Sequence, residues 1–180
     1  MSSWKTTNSK LIHQTPWFKI IEDKVSIPNG NVLTYTYLEK TSAAVAVVAV
    51  NESGAILLHK QYLYPLKETL WTLPCGHCDD DKPLKAAQRE LFEESGLEGD
   101  EWRELGKFYS AAGISKNIGY CFSVHVSGND ARNHDDIEII GEQRFFSVRE
   151  IRSMLNNFDI TDGFSLVAIY RYLDTLEKQR

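Results

Sequence analysis

The chain has 180 residues, 42% of them hydrophobic, and a formal net charge of −5, which allows one sizeable core and is short for two. With 20 Lys and Arg against 25 Asp and Glu and no basic stripe, it lacks the electrostatic footprint of a nucleic-acid binder. The longest strongly apolar run, Ala43 to Val50, is far below the roughly 20 residues of a spanning helix, and nothing at Met1 to Lys10 resembles a signal segment, so a cytoplasmic protein without a membrane partner is expected.

Trp17 to Ile27 reads as a strand, Pro28-Asn29-Gly30-Asn31 as a hairpin turn and Val32 to Leu38 as the returning strand. Such a hairpin has little to bury by itself, so it is expected to lie on the main domain or on another subunit. Thr41 to Val50 is apolar on both faces, as in a central strand. Asn51-Glu52-Ser53-Gly54 turns the chain into a strand at Ala55 to Lys60, and a short segment at Thr69 to Leu73 ends at Pro74. A helix is predicted from Pro83, suited to a first turn, to Ser95, with Gly96 as its stop and Leu84, Ala87 and Leu91 as its apolar side. Strands follow at Trp102 to Tyr109, Gly119 to Val126 and Ile137 to Val148, the last interrupted near Gly141, then helices at Arg149 to Leu155 and Asp162 to Leu176.

The most informative stretch is Arg89-Glu90-Leu91-Phe92-Glu93-Glu94-Ser95-Gly96-Leu97. At about 100° per residue, Glu90, Glu93 and Glu94 share one helix face. Like charges at these spacings repel by a few tenths of a kcal/mol per pair, so three together call for a compensating cation. A divalent metal supplies it.

This run resembles the second half of the Nudix box, Arg-Glu-hydrophobic-x-Glu-Glu-x-Gly-hydrophobic, and every specified position is met. Within that family the chain is similar to the ADP-ribose pyrophosphatase branch: it carries Pro28-Asn29-Gly30, Gln61-Tyr62-Leu63-Tyr64-Pro65, Trp71-Thr72-Leu73-Pro74-Cys75-Gly76, Leu105-Gly106-Lys107-Phe108-Tyr109 and Asp159-Ile160-Thr161-Asp162-Gly163 in that order. The resemblance implies an α+β protein: a Nudix α/β/α sandwich over residues 41–180, preceded by an antiparallel β-hairpin or sheet over residues 1–40. It further implies metal-dependent hydrolysis of the diphosphate of a nucleoside diphosphate sugar, ADP-ribose foremost, with Mg²⁺ or Mn²⁺ and a homodimer formed through the N-terminal sheet. Alternatives are a non-catalytic nucleotide-sugar sensor and a hydrolase of other nucleotide diphosphate derivatives.

On the resemblance, Glu90 and Glu94 are the principal metal ligands, Glu93 binds metal or orients its water, and Arg89 ties the glutamates together. The glycine-rich first half of the box departs from the pattern. Counting back from Arg89 puts its glycine at Cys75 and its glutamate at Asp81, yet the glycine present is Gly76. Either the loop is one residue shorter or cysteine replaces glycine. The Cys75 main-chain carbonyl is a candidate metal ligand and Asp81 an outer-shell one. Asp135 is the candidate base, with Glu138 close behind. Trp17, Phe18 and Tyr35 are candidates to stack on the base, Gln61 and Tyr62 to lie near the diphosphate, and Gly113 to allow close backbone approach. Cys75, His77 and Cys78 are spaced for zinc but lack a fourth local ligand, so an ordinary loop is expected. Three cysteines, with Cys121 on a strand, are odd in number for a disulfide framework and fit a reducing compartment.

Overall fold

The computed structural model describes residues 4–40, 42–79, 81–128 and 140–178. Strands β1 (Lys5–Gln14), β2 (Phe18–Ser26) and β3 (Val32–Lys40) form an antiparallel sheet in the order β1-β2-β3. The β2–β3 turn is the expected one. Gly30 N–H donates to the Ile27 carbonyl at 3.0 Å, with Gly30 at φ 86° where a side chain is disfavoured. Strand β1 was not expected: Lys5 to Lys10 is polar throughout and every β1 residue is exposed, so no alternation announced it.

The second sheet has seven strands: β4 (Ala44–Val50), β5 (Ile56–Leu63), β6 (Glu68–Thr72), β7 (Cys75–His77), β8 (Gly99–Tyr109), β9 (Ile118–Val126) and β10 (Ile140–Phe146). Its main path runs β10-β5-β4-β9-β8, with β4 and β9 parallel and the other pairs antiparallel. Strands β4 and β5 pair only where Val50 meets Ile56. Beyond that point they part: β6 takes up the β5 edge, His59 facing Thr72, and β7 takes up the β4 edge, Ala46 facing Cys75. The expected interruption near Gly141 is a register shift between Ile140 and Gln143.

Helix α1 (Pro83–Ser95) has proline in its first turn and ends where Gly96, at φ 67°, donates to the Phe92 carbonyl at 2.7 Å. Helix α2 (Val148–Asn156) starts with a capping box between Ser147 and Glu150. Asp162 caps α3 (Gly163–Glu177) by accepting from Ser165 N–H at 2.8 Å. The Ser165 hydroxyl donates to Asp162 and accepts from Leu73 N–H, fastening the helix start to the chain before β7.

All seven β4 residues are buried. Val45, Val47 and Ala49 pack with Ala86, Ala87 and Leu91 of α1, while Ala46, Val48 and Val50 pack with Ile151 of α2 and Ala168, Ile169 and Leu173 of α3. The fold is therefore an α/β/α sandwich, and each large aliphatic buried in it contributes about 1.5–3 kcal/mol. Leu84 does not join the apolar side of α1; it is exposed, and Ala86 is buried instead. The N-terminal sheet joins this domain through the segment 113–116: Leu38 N–H donates to the Ile114 carbonyl at 2.8 Å, and Lys116 N–H to the Leu38 carbonyl at 3.1 Å. Among the described residues no helix is long and apolar enough to cross a membrane.

Candidate active site

Helix α1 turns Glu90 and Glu94 inward, at 9% and 2% exposure, whereas Glu93 sits at its open edge. Burial of two carboxylates one turn apart is costly without compensating donors. Glu94 Oε2 accepts from Cys75 N–H at 2.9 Å, and the side-chain amide of Gln143 donates to the Glu94 carbonyl at 2.7 Å, so both ends of this residue are held. Arg89 lies over the cluster, 2.8 Å from Glu90 Oε1 and 2.8 Å from Glu93 Oε2. It also donates to the His77 carbonyl at 2.7 Å and approaches Asp79 and Asp81 at 3.6 and 3.8 Å. Burial works against the Arg89 charge, but Glu90 and Glu93 outweigh it and hold its pKa above the ordinary value.

The frame of the preceding loop is visible in one contact. A Cβ added at Gly76 would overlap the Glu90 carboxylate, so the backbone approaches the acid where it has no side chain. The glycine that serves the acidic helix is Gly76, and Cys75 beside it contributes its main chain. The Cys75 side chain packs on the α3 side of the sheet and Cys78 on the α1 side, so the two thiols face opposite layers. Burial, with Asp162 and Glu94 nearby, pushes the Cys75 thiol well above its ordinary range.

Hard carboxylate oxygens beside a backbone cradle suit Mg²⁺ or Mn²⁺, and Mg²⁺ is commonly held by one or two carboxylates with waters and substrate oxygens completing its shell. Glu90 and Glu94 fit that demand. Among the described residues no three His, Cys, Asp or Glu side chains already converge as ligands, and Glu93 is paired with Arg89. Asp135 and Glu138 lie outside the described residues.

Behind Glu94 runs a row that sequence reading missed. Thr72, His59 and Gln143 are neighbours across β6, β5 and β10. His59 is fully buried with Nε2 4.0 Å from Glu94 Oε2, and burial pushes its imidazole down to about 4, so it is neutral at physiological pH. A histidine among the apolar residues of β5 was the available signal.

One cavity adjoins this centre through Cys75 and Gly76, and a larger one borders the N-terminal sheet. The smaller, about 240 Å³, lies where β4 and β5 part and is lined by Lys40, Gln61, Cys75, Gly76, Asn117 and Asp162. The larger, about 580 Å³, lies between the N-terminal sheet and the segment 112–116, and contains Trp4, Asp23, Tyr35, Tyr37, Gly113 and Lys116. Tyr35 and Gly113 thus meet, the tyrosine hydroxyl donating to the Gly113 carbonyl. Gln61 reaches the smaller cavity, while Trp17, Phe18 and Tyr62 line neither. Trp17 is largely exposed, and Phe18 lies against the His13 ring. Lys40 and Asp23 had not been singled out. Asp23 shares a strand face with Lys19, Ile21 and Val25, a pattern too ordinary to mark it.

Two family models match the chain. Residues 40–163 match the NUDIX domain family, and residues 4–38 match the nucleoside diphosphate sugar hydrolase N-terminal domain. An ADP-ribose pyrophosphatase of Bacillus subtilis is 34% identical over 87% of this chain and 84% of its own length. One of Mycobacterium tuberculosis is also 34% identical, over 62% of this chain, and the match spans about half, 55%, of that relative. A crystal structure of an ADP compounds hydrolase superposes with a TM-score of 0.83 at 18% identity, covering 98% of this chain and 95% of that one, a likeness of fold. With the acidic helix, the Gly76 cradle and the match over 40–163 falling on the same part of the chain, this protein belongs to the Nudix family.

Proposed function

We propose that this protein hydrolyses the diphosphate bond of a nucleoside diphosphate sugar, with ADP-ribose the first substrate and AMP and ribose 5-phosphate the products. Residues 1–40 serve substrate binding and assembly in this reading, and residues 41–180 the chemistry. The observation that carries it is the pair Glu90 and Glu94, buried one turn apart on α1 against Gly76 and the Cys75 main chain, at a cleft.

Water adds to one phosphorus and the bridging P–O bond breaks, releasing a phosphate oxyanion. Glu90 and Glu94 would hold Mg²⁺ or Mn²⁺, with the Cys75 carbonyl as a further ligand and Asp81 in the outer shell; the metal, when bound, would supply charge neutralisation at the phosphate oxygens and a more acidic water. Glu93 orients the attacking water, and Arg89 fixes the spacing of the carboxylates while keeping their mutual repulsion down. Asp135 or Glu138 takes the proton. Gln61 and Lys40 face the diphosphate from the smaller cavity; Tyr35 and Gly113 border the nucleoside in the larger.

The open sheet supports a homodimer. Both faces of β1 are exposed, and Trp4, Leu11, Ile12, Trp17 and Val32 leave apolar area uncovered. Sedimentation of the pure protein tests this: a monomer at micromolar concentration removes the dimer from the proposal. The decisive experiment on function is hydrolysis of a nucleotide-sugar panel with and without Mg²⁺ or Mn²⁺, read as nucleoside monophosphate released. Metal-dependent release supports the hydrolase. No turnover, with tight binding of one member, would make the protein a nucleotide-sugar sensor.

A further inference from the structure

The larger cavity contains a charge that the hydrolytic reading does not use. Strand β2 points Ile21, Asp23 and Val25 to one side, and Asp23 is only 9% exposed. Its Oδ1 is buried and has no hydrogen-bond partner among the described residues. A buried carboxylate oxygen left without a donor costs on the order of 1–3 kcal/mol or more. The side chain lines the cavity, and rotation about its last torsion, which is soft for Asp, turns that oxygen toward a donor held there.

The surroundings of Asp23 define the shape of that donor. Tyr35 stands directly opposite it in the β2–β3 register. Its hydroxyl is tied to Gly113, which fixes the ring. Tyr37 and Trp4 supply further aromatic wall, suited to a flat conjugated ring. Lys116, the cation of this lining, is already engaged: its ammonium is 2.7 Å from Glu39 and 4.7 Å from the Tyr37 ring centre. The volume of about 580 Å³ falls within the roughly 300–1,000 Å³ of small-molecule sites. The segment that closes this cavity at Lys116 continues into the other at Asn117, and β3 runs from Tyr37 in the first to Lys40 in the second.

We propose that Asp23 reads the exocyclic amino group of the nucleobase, so that the cavity selects an amino-bearing purine over one with a carbonyl in its place. An ionised carboxylate only accepts hydrogen bonds. Adenine offers it the 6-amino group and guanine the 2-amino group with the neighbouring ring N–H. Hypoxanthine, identical to adenine in outline but with O6 for the amino group, turns an acceptor toward a carboxylate aimed at position 6, and its one donor on that edge, the ring N1–H, lies a position away. Uracil presents a single N–H between two carbonyls and lacks an amino group. This inference rests on the nucleotide-sugar reading and adds the feature of the base that is recognised.

The test pairs ADP-ribose with its hypoxanthine analogue, using wild type and Asp23→Asn. Wild type should prefer ADP-ribose in kcat/KM by about 10- to 100-fold, as expected for a hydrogen bond to a charged group, with the difference in KM. The substituted side chain is isosteric and its amide can donate to O6, so the preference should shrink to within about threefold or reverse. A merely structural Asp23 would lower both substrates together and leave their ratio alone. That result, with turnover intact, overturns the inference while the hydrolase stands. Calorimetric titration with AMP and IMP separates the two claims. AMP favoured by wild type and not by Asp23→Asn, without turnover of any nucleotide sugar, overturns the hydrolase and supports base reading. Equal affinity of wild type for AMP and IMP overturns base reading without requiring a variant.

Discussion

Strand β4 and strand β1 belong to the same chain and are built on opposite terms. Every residue of β4 is buried and divides its side chains between two helical layers. Every residue of β1 is exposed, and its described pairing is with β2 along one edge. A strand buried on both sides is specified by its own side chains; a strand exposed on both sides is held by main-chain bonds and by whatever covers it. The acidic helix packs against β4, and the larger cavity opens on the sheet that β1 edges, with Thr6 of β1 among its lining. In the proposed reading the chemistry thus has a buried support, and base recognition a sheet with exposed surface left over.

The largest expected effect tests the buried side. Glu94→Gln keeps the shape of a 2% exposed side chain but removes its charge, so metal-dependent turnover should fall roughly a thousandfold while thermal unfolding stays near wild type. Wild-type turnover would remove Glu94 from the centre. Leu58→Ala empties a fully buried position and should cost about 2–5 kcal/mol in denaturant unfolding. A smaller cost would show that the sandwich relaxes in a way its packing does not suggest.

Gly76→Ala should divide activity from stability. Its methyl meets the far end of the Glu90 side chain rather than backbone, so the fold should persist, while a misplaced carboxylate should lower kcat/KM by roughly a hundredfold. An unchanged rate would mean that Glu90 is free to act from elsewhere.

Alkaline pH should weaken the core. Burial holds the Cys121 thiol proton up to about 11, against an ordinary value of 9.0. Between those pH values the folded state binds more protons than the unfolded, so stability falls as pH rises, by about 2–3 kcal/mol across the window. The difference in unfolding free energy between wild type and Cys121→Ala, measured from pH 8 to 11, should change by that amount; a constant difference refutes the assignment. The smallest effect belongs to β1. Leu11→Ala should stay within about 0.5 kcal/mol in a monomer, and a larger loss that grows with protein concentration would show that a partner covers the strand.

Much of the sandwich was legible because its signals are local. Gly96 and Pro83 bracket α1, Asn51 to Gly54 turns β4 into β5, and the unbroken apolar run of β4 needs cover on both faces. The polar β1 and the three-residue β7 carry no such signal. Glu90 and Glu94 followed from helical periodicity. The loop before them did not, since spacing alone cannot choose between a missing residue and a replaced glycine; the approach of Gly76 to Glu90 decides it. The larger cavity was beyond reach for a different reason. It depends on β3 meeting a segment far along the chain, as in the Tyr35 to Gly113 bond across 78 residues, and no local pattern encodes that meeting.

The parting of β4 from β5 has a consequence for how this architecture can change. A sheet zipped along its length exposes only its edges and faces, whereas one opened from a single junction, Val50 with Ile56, makes a wedge within its own plane. The short β6 and β7 line the two sides, and Asp162 and Phe164 at the start of α3 close it from beneath. Substitutions at its rim, at Lys40, Gln61 or His77, can therefore retune what fits while Gly76 and the helix start stay as they are, much as the jaws of a tool can be exchanged while its handle stays the same.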